Sequence, residues 1–308
     1  MSARASVVHN GAVLLLHRYF VRLASAAVAA FLWVLIFEYF TLFTTPVHAL
    51  ISTALLYALC QVTTILLTPL ALMRLRGGMR SGLAYGTLLL CAALSLLGML
   101  LLGLFSDGIV IIALLLGAYP AFYRVPYSTQ YAALVPSGIP WLAMEILLAA
   151  VPLVAGVFLM QGGETAQLFF ASGGVCFLAL LLLAFVPNVH EAFTWGYYET
   201  FAHLIARENR CALLISVGRG ISGAALFLVW PLVLLFVFAG SPLGIGATFS
   251  ATLLVILLFR TSHRRVLVED HAEAGAFLDE YTALKEMGMG VGRLALCFSI
   301  VVALLLFQ

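Results

Sequence analysis

The sequence predicts an all-α, polytopic membrane bundle of about nine transmembrane helices with a cytoplasmic N-terminus. Three observations carry that expectation. Of 308 residues, 64% are hydrophobic and 9% are charged, against about 25% charged in a soluble domain, so lipid must solvate most of the surface. Apolar stretches of bilayer length, about 20 residues each, lie near 20–43, 47–73, 82–105, 108–132, 138–160, 165–187, 211–238, 243–262 and 288–307. Each must be helical, because backbone in lipid has to satisfy its own hydrogen bonds. With the N-terminus inside, Arg4, Arg18, Arg22, Arg74, Arg76, Arg80, Arg207, Arg210, Arg260, Arg264, Arg265, Lys285 and Arg293 all fall on the cytoplasmic side. The outer loops "TTPV", "SDG", "QGGE" and "GSPLG" hold no Lys or Arg, which is the positive-inside pattern.

Taken in order, the run "AVLLL" ahead of span 1 is broken by His17 and Arg18 and is too short for a signal-peptide core. Span 1 carries Glu38 near its outer end, placed to snorkel toward the headgroups. Span 2 contributes Gln61, a lesser polar candidate. Spans 4 and 5 carry Arg124 and Glu145. After span 6, residues 188–210 read as a cytoplasmic linker helix, dividing a six-helix bundle (1–187) from a partial bundle of three (211–308). Trp230-Pro231 marks a bend in span 7. Between spans 8 and 9, six carboxylates within 263–287 read as a solvated cytoplasmic acidic helix, placed at 266–287.

Residues 216–223, "SVGRGISG", fit both G-x-G-x-x-G and G-x-S-G. A dinucleotide site needs a preceding strand and an acidic residue about 20 positions on, but the next one after Ser222 is Glu269. A serine protease needs a histidine base on a neighbouring span, and the histidines that follow, His263 and His271, lie in the polar segment. What remains is small-x-x-x-small spacing, Ser216, Gly220 and Ala224, which lets another helix approach closely. Arg219 is then left inside the inner leaflet, where it must meet a partner or a wet cavity. The five cysteines (Cys60, Cys91, Cys176, Cys211, Cys297) lie in apolar runs and read as packing residues. No histidine pairing suggests a metal, and a net charge of +2 gives no footprint for nucleic acid. The single lysine, Lys285, among fifteen Lys and Arg suggests a GC-rich bacterial genome, hence an inner membrane.

Span 4 is the polar one. Tyr119, Tyr123 and Gln130 recur at spacings of four and seven along one side, and Arg124, Tyr127, Ser128 and Tyr131 form an adjacent stripe. Pro120 and Pro126 can kink the helix and free carbonyls. Entering from outside after Asp107, Arg124 lies about 17 residues down, roughly 25 Å at the helical rise, at a depth similar to Glu145. An Arg124–Glu145 structural ion pair and a solute-binding Arg124 are both compatible with that depth. The tyrosines fit either a cavity lining or an inner aromatic belt.

"GAYPAFYRVPYSTQYAAL" (117–134), "FTWGYYETF" (193–201) and "LFLVWPLVLLF" (226–236) resemble a poorly characterised bacterial branch of the major facilitator superfamily of secondary transporters. So does the division into six helices, an amphipathic linker and further helices. The first stretch is similar to that branch's "lYW.aYH..fA" pattern. The superfamily's loop motif after span 2 survives only as "PLALMRLRGGMR" (69–80), without its Asp. The resemblance implies alternating access around a midplane site, no enzyme activity, no organic cofactor, and a cavity lined by spans 1, 4 and 7. It thereby puts Glu38, Arg124, Arg219 and Trp230 with Tyr119, Tyr123, Tyr127 and Gln130 as candidates for a small polar or anionic solute. It also implies three-helix repeats, of which nine helices supply three out of four. Two roles follow: a transporter whose bundle is completed by another membrane subunit or a second copy, or a non-transporting scaffold or assembly subunit on the same fold. The bilayer is a partner in either.

Overall fold

The computed structural model describes residues 3–74, 78–105, 108–134, 142–190, 195–262 and 278–306. Twelve α-helices account for the architecture, and no strand occurs among the described residues. They are α1 (Ala3–Ala29), α2 (Leu32–Thr41), α3 (Pro46–Arg74), α4 (Met79–Leu101), α5 (Ile109–Leu134) and α6 (Leu142–Met160). Next come α7 (Thr165–Leu182), α8 (Tyr197–Ile205), α9 (Arg210–Ala224), α10 (Trp230–Val237), α11 (Pro242–Ser262) and α12 (Leu278–Leu306). Nine segments among the described residues are long and apolar enough to cross a bilayer, so the chain is an integral, multi-pass membrane protein.

Two spans extend further than the apolar runs suggest. The first runs from Gly11 to Thr41 through α1, a turn at Ala30-Phe31, and α2. It therefore takes in His17 and Arg18, which hydropathy assigns to the preceding loop, and sets Arg22 well inside the span. The last runs from Glu280 to Leu306 and takes in Lys285 and Glu286 ahead of Arg293. Residues 278–287 form the opening turns of α12 instead of a separate solvated helix, and Glu280 and Glu286 are buried there. The preceding part of the acidic segment lies outside the described residues. Charged side chains enter these spans because each finds protein partners, which removes the cost of facing lipid.

The bundle is built from close pairs. α1 packs on α7 and α6, α4 on α5 and α7, α3 on α5 and α12, α6 on α11, and α9 on α12. The first four spans bury half of their residues, whereas the last two bury 22% and 17%, so the centre lies among α1 to α5. α12 enters that centre through α3 and α5.

The seam of "SVGRGISG" has a clear physical basis. Ser216, Gly220 and Ala224 are the buried residues of α9. A Cβ on Gly220 would lie 2.2 Å from the Met289 carbonyl oxygen, and one on Gly292 would lie 2.1 Å from that of Val217. Only bare backbone lets these two helices come so near. Beyond the seam, Ala225–Val229 widens into a π turn before Trp230-Pro231. Pro231 has no N–H to give, and a π turn absorbs the missing bond. The linker region contains the short helix α8, which buries Thr200 and Leu204 and touches α3, α9 and α12.

Candidate functional site

α5 positions most of the site. It runs unbroken through Pro120 and Pro126, held against α3 where Thr64 Oγ1 donates to the Gly117 carbonyl at 2.7 Å. Its tyrosines form one ladder. Ring centroids of Tyr119, Tyr123, Tyr127 and Tyr131 follow one another at 5.3, 6.0 and 5.8 Å. A spacing of four keeps them on one side of the helix, so Tyr127 and Tyr131 belong with Tyr119 and Tyr123 and not to a separate stripe.

α1 faces this ladder. The Arg18 guanidinium lies 4.0 Å from the Tyr127 ring centroid, a cation–π contact. The His17 ring stands 5.8 Å from Tyr123, with Nδ1 at 2.9 Å from the Ala179 carbonyl. One turn further, Arg22 grips Glu145 with both outer nitrogens, Nη2 to Oε2 at 2.6 Å. Arg124 pairs elsewhere: its Nη1 donates to Glu286 Oε2 of α12 at 2.5 Å. The expected Arg124–Glu145 pair is thus replaced by two pairs, Arg22–Glu145 and Arg124–Glu286. Similar depth does not select a partner; helix adjacency does. α6 lies on α1, and α12 reaches α5.

Arg293 completes the cluster. It stands at the middle of the span Glu280–Leu306 and donates Nη1 to Gln61 Oε1 of α3 at 3.1 Å. α5 also carries five buried polar atoms with no hydrogen-bond partner among the described residues: Tyr123 Oη, Tyr127 Oη, Thr129 Oγ1, and both Gln130 amide atoms. Leaving a buried polar atom unpaired costs about 1–3 kcal/mol. Those of Tyr123, Tyr127 and Gln130, which share one side of the helix, mark a place suited to water or a polar guest.

The other candidates lie apart. Arg219 is exposed on α9, turned away from the α12 seam, and no hydrogen bond or ion pair holds it among the described residues. Glu38 is exposed near the end of α2. Trp230 donates Nε1 to Thr252 Oγ1 at 3.1 Å, a bond that fixes α10 to α11. Span 7 meets the cluster instead through Gly223 of α9, where a Cβ would stand 3.7 Å from Arg293 Nε. The residues that sequence reasoning passed over are His17, Arg18, Arg22, Glu286 and Arg293. Glu286 and Arg293 carry a legible signal, since seven residues of separation puts them on one helix face.

No protein-family model matches the chain, and no curated protein matches it.

Proposed function

We propose that the chain is a transporter-like membrane protein that carries a small polar or anionic solute by alternating access, with its N-terminus in the cytoplasm of a bacterial cell. The likeness of its sequence motifs to the major facilitator superfamily supports this reading. One observation carries it: the Arg124 side chain keeps 35% of its surface accessible although α3, α4 and α12 surround α5. A guanidinium has five donors, and a single one is used by Glu286. The remaining donors are free to meet water or a solute on the accessible side of the guanidinium.

Two hollows, one lined by Leu204, Asn209, Ser216 and Tyr281 and one by Arg18, Arg22 and Met144, each hold about 10 Å³, room for one water molecule. Ligand sites span about 300–1,000 Å³, so carriage requires the bundle to open along its seams.

The test is uptake into proteoliposomes of a labelled panel of small carboxylates, phosphate and sugars. Wild-type protein takes up at least one, and Arg124→Ala stops that uptake while inserting and purifying normally. Uptake unchanged by Arg124→Ala removes this site from the account.

A second reading, a scaffold or assembly subunit, is favoured by Arg219. A lipid-facing arginine inside a span costs about 3 kcal/mol or more, and a carboxylate from another membrane subunit would relieve it. Arg219→Leu then breaks a complex seen in native-membrane extracts; an unaltered complex size argues against it.

A further inference from the structure

Where α3, α5 and α12 meet, two guanidinium groups stand near one carboxylate. Arg124 holds Glu286. Arg293, two turns further along α12, donates to the neutral Gln61 and to no carboxylate among the described residues, and bare backbone at Gly223 lies behind it. The two arginines are close enough for their charges to repel, and Glu286 is close enough to attract Arg293. Tyr57 lies within electrostatic reach of both arginines, and Tyr119 within reach of Arg124 and Glu286. Two cations therefore face one anion here, with Arg293 at the middle of the span Glu280–Leu306. The Arg124 side chain is 35% accessible while Glu286 is 9% accessible. The carboxylate closes one edge of the guanidinium and leaves the other open.

We propose that this junction is a site for one small oxyanion, a carboxylate or an inorganic oxyanion, held between Arg124 and Arg293 with Glu286 as its internal competitor. The proposal names the class of solute and rests on the carrier reading above. Arginine suits the task because its planar donors match an oxyanion two at a time. Glu286 already occupies one donor of Arg124, so an arriving anion meets both attraction from two cations and repulsion from one carboxylate. Removing the Glu286 charge should therefore tighten binding, whereas a site built only for structure would lose its order.

Trp33 provides a local reporter, because its ring meets Tyr57 edge-on at 4.9 Å. The full chain in nanodiscs of zwitterionic lipid is titrated with sodium acetate, sodium phosphate or neutral acetamide, with sodium chloride holding ionic strength constant. Acetate or phosphate should change Trp33 fluorescence saturably, and acetamide should not. Arg293→Gln should weaken that response about tenfold, Arg293→Lys should keep it within about threefold, and Glu286→Gln should tighten it about tenfold. A response to phosphate alone identifies an inorganic anion, and one to acetate identifies a carboxylate. The proposal is overturned by an equal response to acetamide, by no response to either anion, or by a signal that survives Trp33→Phe. It is also overturned if Glu286→Gln abolishes binding in monodisperse protein. Anion binding without uptake would retire the carrier reading and leave the site standing; uptake without anion binding would do the reverse.

Discussion

Gly220 and Gly218 belong to one motif yet should respond oppositely to the same methyl group. A Cβ on Gly220 would sit 2.2 Å from the Met289 carbonyl oxygen, where ordinary contact begins at 3.4 Å. The oxygen is backbone and cannot rotate aside, so α9 and α12 must part by about an ångström. Overpacking of this kind costs about 1–3 kcal/mol. A Cβ on Gly218 would meet nothing within 4 Å, and alanine is the better helix former by up to about 1 kcal/mol. Gly220→Ala should therefore lower the unfolding free energy by about 1–3 kcal/mol, and Gly218→Ala should leave it unchanged or raise it. Titration with a denaturing detergent, followed by circular dichroism, reads both. Equal effects of the two changes, or a neutral Gly220→Ala, would refute the close seam.

Two further outcomes follow from the polar interior. Arg22→Gln and Glu145→Gln should each destabilise, but the double variant should recover part of the loss. A coupling of about 0.5–3 kcal/mol in the mutant cycle would confirm that the pair acts as a unit, and additivity would contradict it. Tyr123→Phe removes a buried hydroxyl without a protein partner, so thermal stability without solute should hold or rise by about 1 kcal/mol, while uptake in proteoliposomes falls. A marked loss of stability would mean that the hydroxyl is already satisfied.

Much of the architecture was legible because a bilayer imposes its thickness on the sequence. Apolar runs of about 20 residues mark nine crossings, and small residues four apart mark the face of α9 that meets α12. Span ends were harder to place. His17 and Arg18 read as loop residues and Arg22 lies at the edge of its apolar run, yet the fold supplies a carbonyl, an aromatic face and a carboxylate to receive them. Partner choice was also hidden. Glu145 and Glu286 are both carboxylates at a reachable depth, and nothing local reveals that α12 and not α6 carries Arg124's partner. That depends on which helices are neighbours, a property of the whole bundle. Arg219 shows the same limit from the other side: its position in a span was plain, but not the face it occupies.

The central claim is that water and solute reach the arginine cluster inside the bundle. Thiol labelling at Tyr119 tests it most directly. In a chain with Cys60, Cys91, Cys176, Cys211 and Cys297 replaced, Tyr119→Cys should react with a negatively charged, membrane-impermeant thiosulfonate, and acetate or phosphate should slow the reaction. If Tyr119→Cys stays unreactive while Gly162→Cys, which stands in an exposed loop turn, labels fully, the cluster is sealed in protein and the account fails.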